Sequence, residues 1–172
     1  MEYRSSGSAV AITPHTLLTC AHVVMDAEAI TVELPGDDGY TELQATVERL
    51  DLEADLAILR VEERLPATVV IGLTRSLALH GGEAVYAQGA ALGYSPRGLA
   101  RGYFASREGD ENLLMGACWT ARISTAPGSS GGAIFDPRTG FLLGIVRGGL
   151  SSGQVCFFIP APRIVEFIDA WH

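Results

Sequence analysis

Short apolar or alternating runs, each long enough to cross one sheet and each bounded by turn-forming residues, recur along almost the whole chain. In the first part they are Ser8 to Ile12, Thr16 to Cys20, Ala29 to Leu34, Leu43 to Asp51, Leu56 to Val61 and Thr68 to Ile71. In the second part they are Glu83 to Gln88, Gly98 to Ser106, Asn112 to Thr120, Gly132 to Phe135, Gly140 to Arg147 and Gln154 to Ile159. Runs of this kind are strands, and a chain made of them is all-β, folded as a small barrel or sandwich in each part. Between the two sets, Leu73 to Gly82 reads as a crossover. Glu108 to Asn112 and Asp136 to Gly140 carry the turn formers of tight antiparallel connections. The period changes only at the end, where Ile164, Val165, Phe167, Ile168 and Trp171 share one helical face and predict a short packed helix over 161–171.

Composition narrows the classes of function. With 172 residues, 48% hydrophobic and 20 glycines, the chain has enough apolar mass for one continuous core or two small cores sharing an interface. A formal net charge of -8 without any Lys/Arg block argues against nucleic acid or an anionic membrane surface as a partner. The first seven residues lack the basic-then-apolar layout of a leader, and no apolar run approaches the roughly 18 residues that span a bilayer. The expected location is therefore the cytoplasm, unless a leader has been removed. Cys20, Cys118 and Cys156 are odd in number and lack metal-ligand spacing, which predicts buried reduced thiols of an intracellular protein, with no metal and no organic cofactor.

Three motifs carry chemistry, and their order matters. Thr19-Cys20-Ala21-His22 comes first, Ala54-Asp55-Leu56-Ala57-Ile58-Leu59 second and Gly128-Ser129-Ser130-Gly131-Gly132 third. A histidine, an aspartate and a glycine-flanked serine, each beside a strand-like run, are the parts of an acyl-transfer site. The serine motif fits both G-x-S-x-G, the nucleophile elbow of an α/β-hydrolase, and G-x-S-G-G, the serine loop of a two-barrel peptidase. An elbow is followed by its acid and then its histidine, yet the only histidine after Ser130 is His172. Ala133-Ile134-Phe135 also leads into a turn and a strand rather than a helix, so the peptidase reading holds. Its glycines let successive N–H groups point into one concavity, with those of Gly128 and Ser130 as the donors for an oxyanion.

Each candidate has a plainer competitor. His22 competes with His15 after a proline in a turn, His80 before Gly81-Gly82, and His172 at the chain end; only His22 lies at a strand-to-helix junction in the first half. Asp55 competes with Asp51 and Glu53. An orienting carboxylate should be partly buried and fixed by the apolar strand that follows it, which selects Asp55 and leaves Asp51 in reserve.

These motifs resemble those of trypsin-like serine peptidases, and most of all the bacterial HtrA-type protease domains. The resemblance covers nearly the whole chain. It includes Gly7-Ser8-Ala9-Val10, Leu17 to Val24, Asp55 to Leu59, Arg101 to Ser106, Ala126 to Gly132 and Phe158-Ile159-Pro160. It implies two six-stranded antiparallel barrels of double Greek-key type with the site between them. The first barrel would take about 1–72, the crossover 73–82, the second barrel about 83–160 and the helix 161–171. It further implies a serine endopeptidase in which Ser130 attacks a peptide carbonyl, His22 shuttles the proton and Asp55 orients the imidazole. Substrate backbone would lie along Arg147, Gly148 and Gly149 by strand addition.

Departures from the family pattern refine the expectation. The chain start does not resemble the Ile-Val-Gly-Gly end made by zymogen cleavage, Val23 stands where secreted relatives carry a cysteine, and no PDZ module follows. Ser124, six residues before Ser130, stands where enzymes of basic specificity have aspartate, so a small or apolar residue is expected before the scissile bond. Arg147 stands where many relatives have a serine near the aspartate, and either meets an acidic substrate residue or points to solvent. Val155, Phe157 and Ile159 are pocket-wall candidates whose alternate spacing also fits barrel core. The expected partners are a protein or peptide substrate and a regulatory domain or protein. The competing class is a catalytically silent trypsin-like module that binds peptide along the strand at Arg147.

Overall fold

A computed structural model describes residues 5–89, 98–113, 115–125, 128–150 and 154–170. The first half is a five-stranded antiparallel sheet of order β1-β2-β5-β4-β3. Its strands are β1 (Val10–Thr13), β2 (Thr16–Thr19), β3 (Ile30–Gly36), β4 (Gly39–Asp51) and β5 (Leu56–Val61), with one helical turn, α1 (Ala21–Val24), directly after β2. A short helix α2 (Leu73–Leu77) lies in the crossover. The second half is a closed barrel of order β10-β11-β8-β7-β6-β9. It consists of β6 (Ala84–Gln88), β7 (Leu99–Ser106), β8 (Trp119–Arg122), β9 (Ala133–Phe135), β10 (Leu142–Leu150) and β11 (Val155–Pro160), and the helix α3 (Ala161–Asp169) follows it.

The first half thus corrects the expectation of two six-stranded barrels. Thr68 to Ile71, read as a sixth strand, forms no ladder. Val69 N–H reaches the Ala11 carbonyl at 3.0 Å, and then the segment turns to the second half, where Leu142 N–H donates to the Val70 carbonyl and Ile71 makes a single bridge to Leu142. One bond to a four-residue β1 does not close a sheet, so the segment becomes a strap between the halves. Asn112 to Thr120 is the other misreading. Asp110 accepts from Asn112 N–H at 2.9 Å and from Met115 N–H at 2.8 Å, which winds Glu111–Leu113 into a 3-10 turn and delays β8 to Trp119.

Why several runs are continuously apolar is explained by burial on both strand faces. In β5, Leu56 and Ile58 enter a central cluster with Leu18, Leu142, Ile145, Phe157 and Ile159, while Ala57, Leu59 and Val61 enter the first half's own core. In β11, Phe157 and Ile159 point to the centre, and Cys156 and Phe158 into the barrel interior. The core is therefore three clusters in a row, the middle one shared. α3 seals the middle cluster with Ile164 and Phe167, and the Arg49 guanidinium covers the Phe167 ring at 4.8 Å. Pro162 in its first turn suits a position whose N–H has no helical partner; Trp171, expected on the same face, lies outside the described residues. Among the described residues no helix is long and apolar enough to cross a membrane.

Candidate active site

The joint between the halves is where the three motifs meet. His22 sits on the single helical turn that leaves β2, after Cys20 in extended backbone. Asp55 ends the turn between β4 and β5 with φ +57, a left-handed conformation that aspartate tolerates better than most residues. Asp51 shapes that turn by accepting the Ala54 N–H at 3.0 Å. The reserve carboxylate therefore serves the turn, and it is Asp55 that the fold brings to the histidine.

Both Asp55 oxygens are engaged. Oδ1 accepts the backbone N–H of His22 at 2.8 Å, and Oδ2 pairs with His22 Nδ1 at 2.7 Å. Oδ2 also accepts from Arg147 Nε at 3.1 Å. Burial raises the carboxyl's proton affinity, but the side-chain and backbone hydrogen bonds from His22, helped by the charges of His22 and Arg147, outweigh it and hold Asp55 below the usual carboxylate range. The Asp55 side chain is 6% exposed while that of His22 is 46% exposed. A buried charge thus steers an imidazole whose outer edge meets solvent.

Ser130 comes from the other half, in the loop between β8 and β9. Gly128 and Gly131 on either side have φ +93 and +89, which a side chain would strain. Gly131 N–H donates to the Val146 carbonyl at 2.7 Å and Val146 N–H to the Gly132 carbonyl at 2.8 Å, so the loop is zipped onto β10. Gly132 N–H donates to the Ser129 carbonyl at 2.9 Å, which sets the peptide unit whose N–H belongs to Ser130. A register shift between Val146 and Gly148 turns the Arg147 carbonyl toward this loop, and the Ser130 hydroxyl donates to it at 2.9 Å. Ala126 and Pro127 lie outside the described residues.

Of the substrate-binding candidates, Gly148 and Gly149 lie on β10 beyond its pairing with β9. A Cβ on Gly148 would sit 3.2 Å from the Met115 methyl, and one on Gly149 would overlap the Thr125 hydroxyl. Ser124 is exposed beside Thr125. Arg147 follows neither of its two expected courses, because its guanidinium turns inward onto Asp55. Phe157 and Ile159 are buried in the central cluster and Val155 packs against it. Of the other histidines, His80 closes a local turn with Glu83 and His15 lies in the β1–β2 turn; His172 is outside the described residues.

Around His22 and Asp55 lies an open cleft of about 460 Å³, lined also by Met25, Leu52, Met115 and Arg147. Met25 is 47% and Leu52 60% exposed, an apolar rim that no motif signalled. Cys20, His22 and Asp55 offer atoms within 4.8 Å of one another, a spacing that suits a metal. The chemistry does not suit one. Burial and the Asp55 charge push the Cys20 thiol far up, it donates to the Val146 carbonyl at 3.2 Å, and Asp55 already accepts three hydrogen bonds.

Comparison with known proteins gives the family and the fold. The trypsin-like peptidase domain model fits residues 7–145. Serine protease HTRA4 of Mus musculus is 30% identical over 98% of this chain, and serine protease HTRA2, mitochondrial, of Bos taurus is 29% identical over 95%. The chain spans 35% and 36% of those proteins, about a third of their length. The HtrA-type protease AlgW with decapeptide superposes with a TM-score of 0.82 at 29% identity, over 96% of this chain and 51% of that one. The serine endoprotease from Yersinia pestis gives 0.81 at 25% identity, over 99% and 59%. With a domain model running from the residues before β1 into β10, the chain belongs to the trypsin-like peptidase family.

Proposed function

We propose that the chain is a serine endopeptidase working through His22, Asp55 and Ser130. The observation that carries this reading is the two-point hold of buried Asp55 on His22, at 2.7 and 2.8 Å, because it fixes the ring and leaves the outer nitrogen as the basic edge. Ser130 Oγ forms a bond to the peptide carbonyl carbon while His22 Nε2 takes its proton. The N–H groups of Gly128 and Ser130 hold the resulting oxyanion. Collapse breaks the C–N bond, His22 returns the proton to the leaving amine, and a water molecule activated by His22 hydrolyses the acyl-enzyme.

Substrate enters as an added strand along Arg147, Gly148 and Gly149. A substrate N–H that takes the Arg147 carbonyl displaces the Ser130 hydroxyl and frees it for His22. The decapeptide named with the AlgW structure supports a peptide ligand. Ser124 stands where enzymes of basic specificity have aspartate, which supports small or apolar residues before the cleaved bond. A further domain or partner regulates the enzyme, in keeping with relatives about three times as long. Its place is the cytoplasm, supported by three buried free thiols; fractionation that finds it outside would overturn that part.

The Ser130–Arg147 hydrogen bond favours a second reading, a peptide-binding module with a silenced serine. Labelling with a fluorophosphonate separates the two. Adduct at Ser130, lost in Ser130→Ala and His22→Ala, supports the peptidase. A folded protein that stays unlabelled while binding extended peptide supports the module.

A further inference from the structure

Ser8 precedes the first strand and belongs to no motif of the site, yet it is bound on three sides to the nucleophile loop and its surroundings. Its N–H donates to the Ser130 carbonyl at 2.8 Å and its hydroxyl donates to the Gly128 carbonyl at 2.9 Å. Its own carbonyl accepts from Thr19 Oγ1 at 2.7 Å, and Thr19 is buried at the end of β2, three residues before His22. One residue therefore connects the strand that leads to the histidine with both ends of the Gly128–Ser130 segment.

The surrounding glycines are shaped to this residue. A Cβ on Gly131 would overlap the Ser8 carbonyl oxygen, one on Gly89 would sit 3.0 Å from the Ser8 hydroxyl, and one on Gly7 would sit 2.6 Å from the Val23 methyl beside His22. With Ser129 O held by Gly132 N–H, the Ser8 bonds complete a set in which the carbonyls of Gly128, Ser129 and Ser130 are all tied. A peptide unit whose carbonyl is fixed has its N–H fixed on the opposite side. The Ser129–Ser130 unit is held directly by Gly132 N–H and flanked on both sides by units that Ser8 holds, so Ser8 and Gly132 together fix the direction of the Ser130 N–H.

We infer that Ser8 is a positioning residue for the oxyanion donor Ser130 N–H, a clasp from the first half that sets the geometry of the second. This rests on the peptidase reading and adds to it a residue outside the triad. The hydroxyl, not the backbone N–H, is the testable part, since Ser8→Ala removes one oxygen and leaves the chain path intact. A donor misplaced by about 1 Å costs about 10²-fold in rate without weakening ground-state binding. Accordingly, Ser8→Ala lowers kcat for a peptide substrate, and the rate of fluorophosphonate labelling, by about 10- to 100-fold with KM unchanged.

Hydrogen exchange provides the arm that does not need activity. In Ser8→Ala, amide exchange speeds up across 128–132 and stays unchanged in β11. Unchanged exchange in the loop, or faster exchange spread over the whole protein, overturns the inference, as does an equal rise in KM and fall in kcat. If the wild-type protein takes no label, the peptidase reading fails, and the exchange experiment still decides whether Ser8 fixes this loop.

Discussion

The barrel of β6 to β11 closes on itself and leaves unpaired on one side only the end of β10 beyond β9, whereas the sheet of β1 to β5 ends at a four-residue β1 on one side and at β3, which carries Pro35, on the other. Their cores differ in the same sense. The barrel interior holds the packed rings of Phe104, Trp119 and Phe158, with centroids 5.8 to 6.5 Å apart. The open half's own cluster is aliphatic, with no aromatic ring among its buried members. Its remaining apolar faces, Leu18, Leu56 and Ile58, are buried only because the barrel lies against them. The half that carries His22 and Asp55 is thus completed by the half that carries Ser130. Dependence of that kind keeps His22 and Asp55 in register with Ser130.

The largest expected effect breaks the open half's contribution alone. Asp55→Asn leaves the packing in place but presents an amide to His22, favouring the wrong tautomer, and lowers kcat/KM by about 10⁴-fold. Peptide hydrolysis by the variant at a rate within tenfold of wild type would show that the orienting role lies elsewhere. Next comes the shared core. Ile58→Ala removes a fully buried side chain from the central cluster and should destabilise by about 4 kcal/mol in urea unfolding. Because the cluster belongs to both halves, unfolding should remain a single transition; two transitions would mean that the halves fold independently.

A third pair of variants contrasts closure with openness directly. A Cβ on Gly102 in β7 would overlap the Arg122 carbonyl across the closed barrel, while one on Gly36 at the β3–β4 turn meets nothing nearer than 3.5 Å. Gly102→Ala should destabilise by about 3 kcal/mol, and Gly36→Ala should stay within about 0.5 kcal/mol. Similar losses at both sites would remove the distinction between the two sheets.

What the sequence made legible was what is decided locally. Asp55 was separable from Asp51 because the strand that buries it begins at the next residue, and Ser130 was marked by glycines that its loop geometry requires. The run Leu56 to Val61 marked a strand, and the structure adds that Leu56 to Leu59 are buried on both of its faces. Closure of the first sheet was not legible, because the fate of Thr68 to Ile71 depends on whether Leu142, some seventy residues away, captures its backbone. The resemblance placed position 147 near the aspartate, but the inward turn of the Arg147 guanidinium onto Asp55 was not legible, because nothing near Arg147 in sequence shows that this buried carboxylate has room for it as a third donor. Ser8 stood within the Gly7-Ser8-Ala9-Val10 resemblance but without a role, and the rim of Met25, Leu52 and Met115 had none either, since their roles come from neighbours supplied by other elements.

The smallest expected effect concerns acid stability, and it reports on the joint rather than on either half. Asp55's carboxyl binds its proton less tightly in the folded protein than in the unfolded chain, where its value is about 3.9. Between the two values the unfolded state holds more protons, so this group's contribution to stability grows as pH rises through that window. The contribution is complete above the unfolded value and is lost as pH falls through the folded one. The groups facing Asp55 are His22, Arg147 and the Cys20 thiol, and the hydrogen bonds from His22 with the Arg147 charge favour the charged form. Other carboxylates titrate in the same range, so the measurement is the difference in unfolding free energy between wild type and Asp55→Asn across acid pH. That difference should increase with pH and level off above about pH 5. A difference that shrinks as pH rises would mean that burial of the charge outweighs the hydrogen bonds from His22 and Arg147, and that the closed half presses on Asp55 more than it supports it.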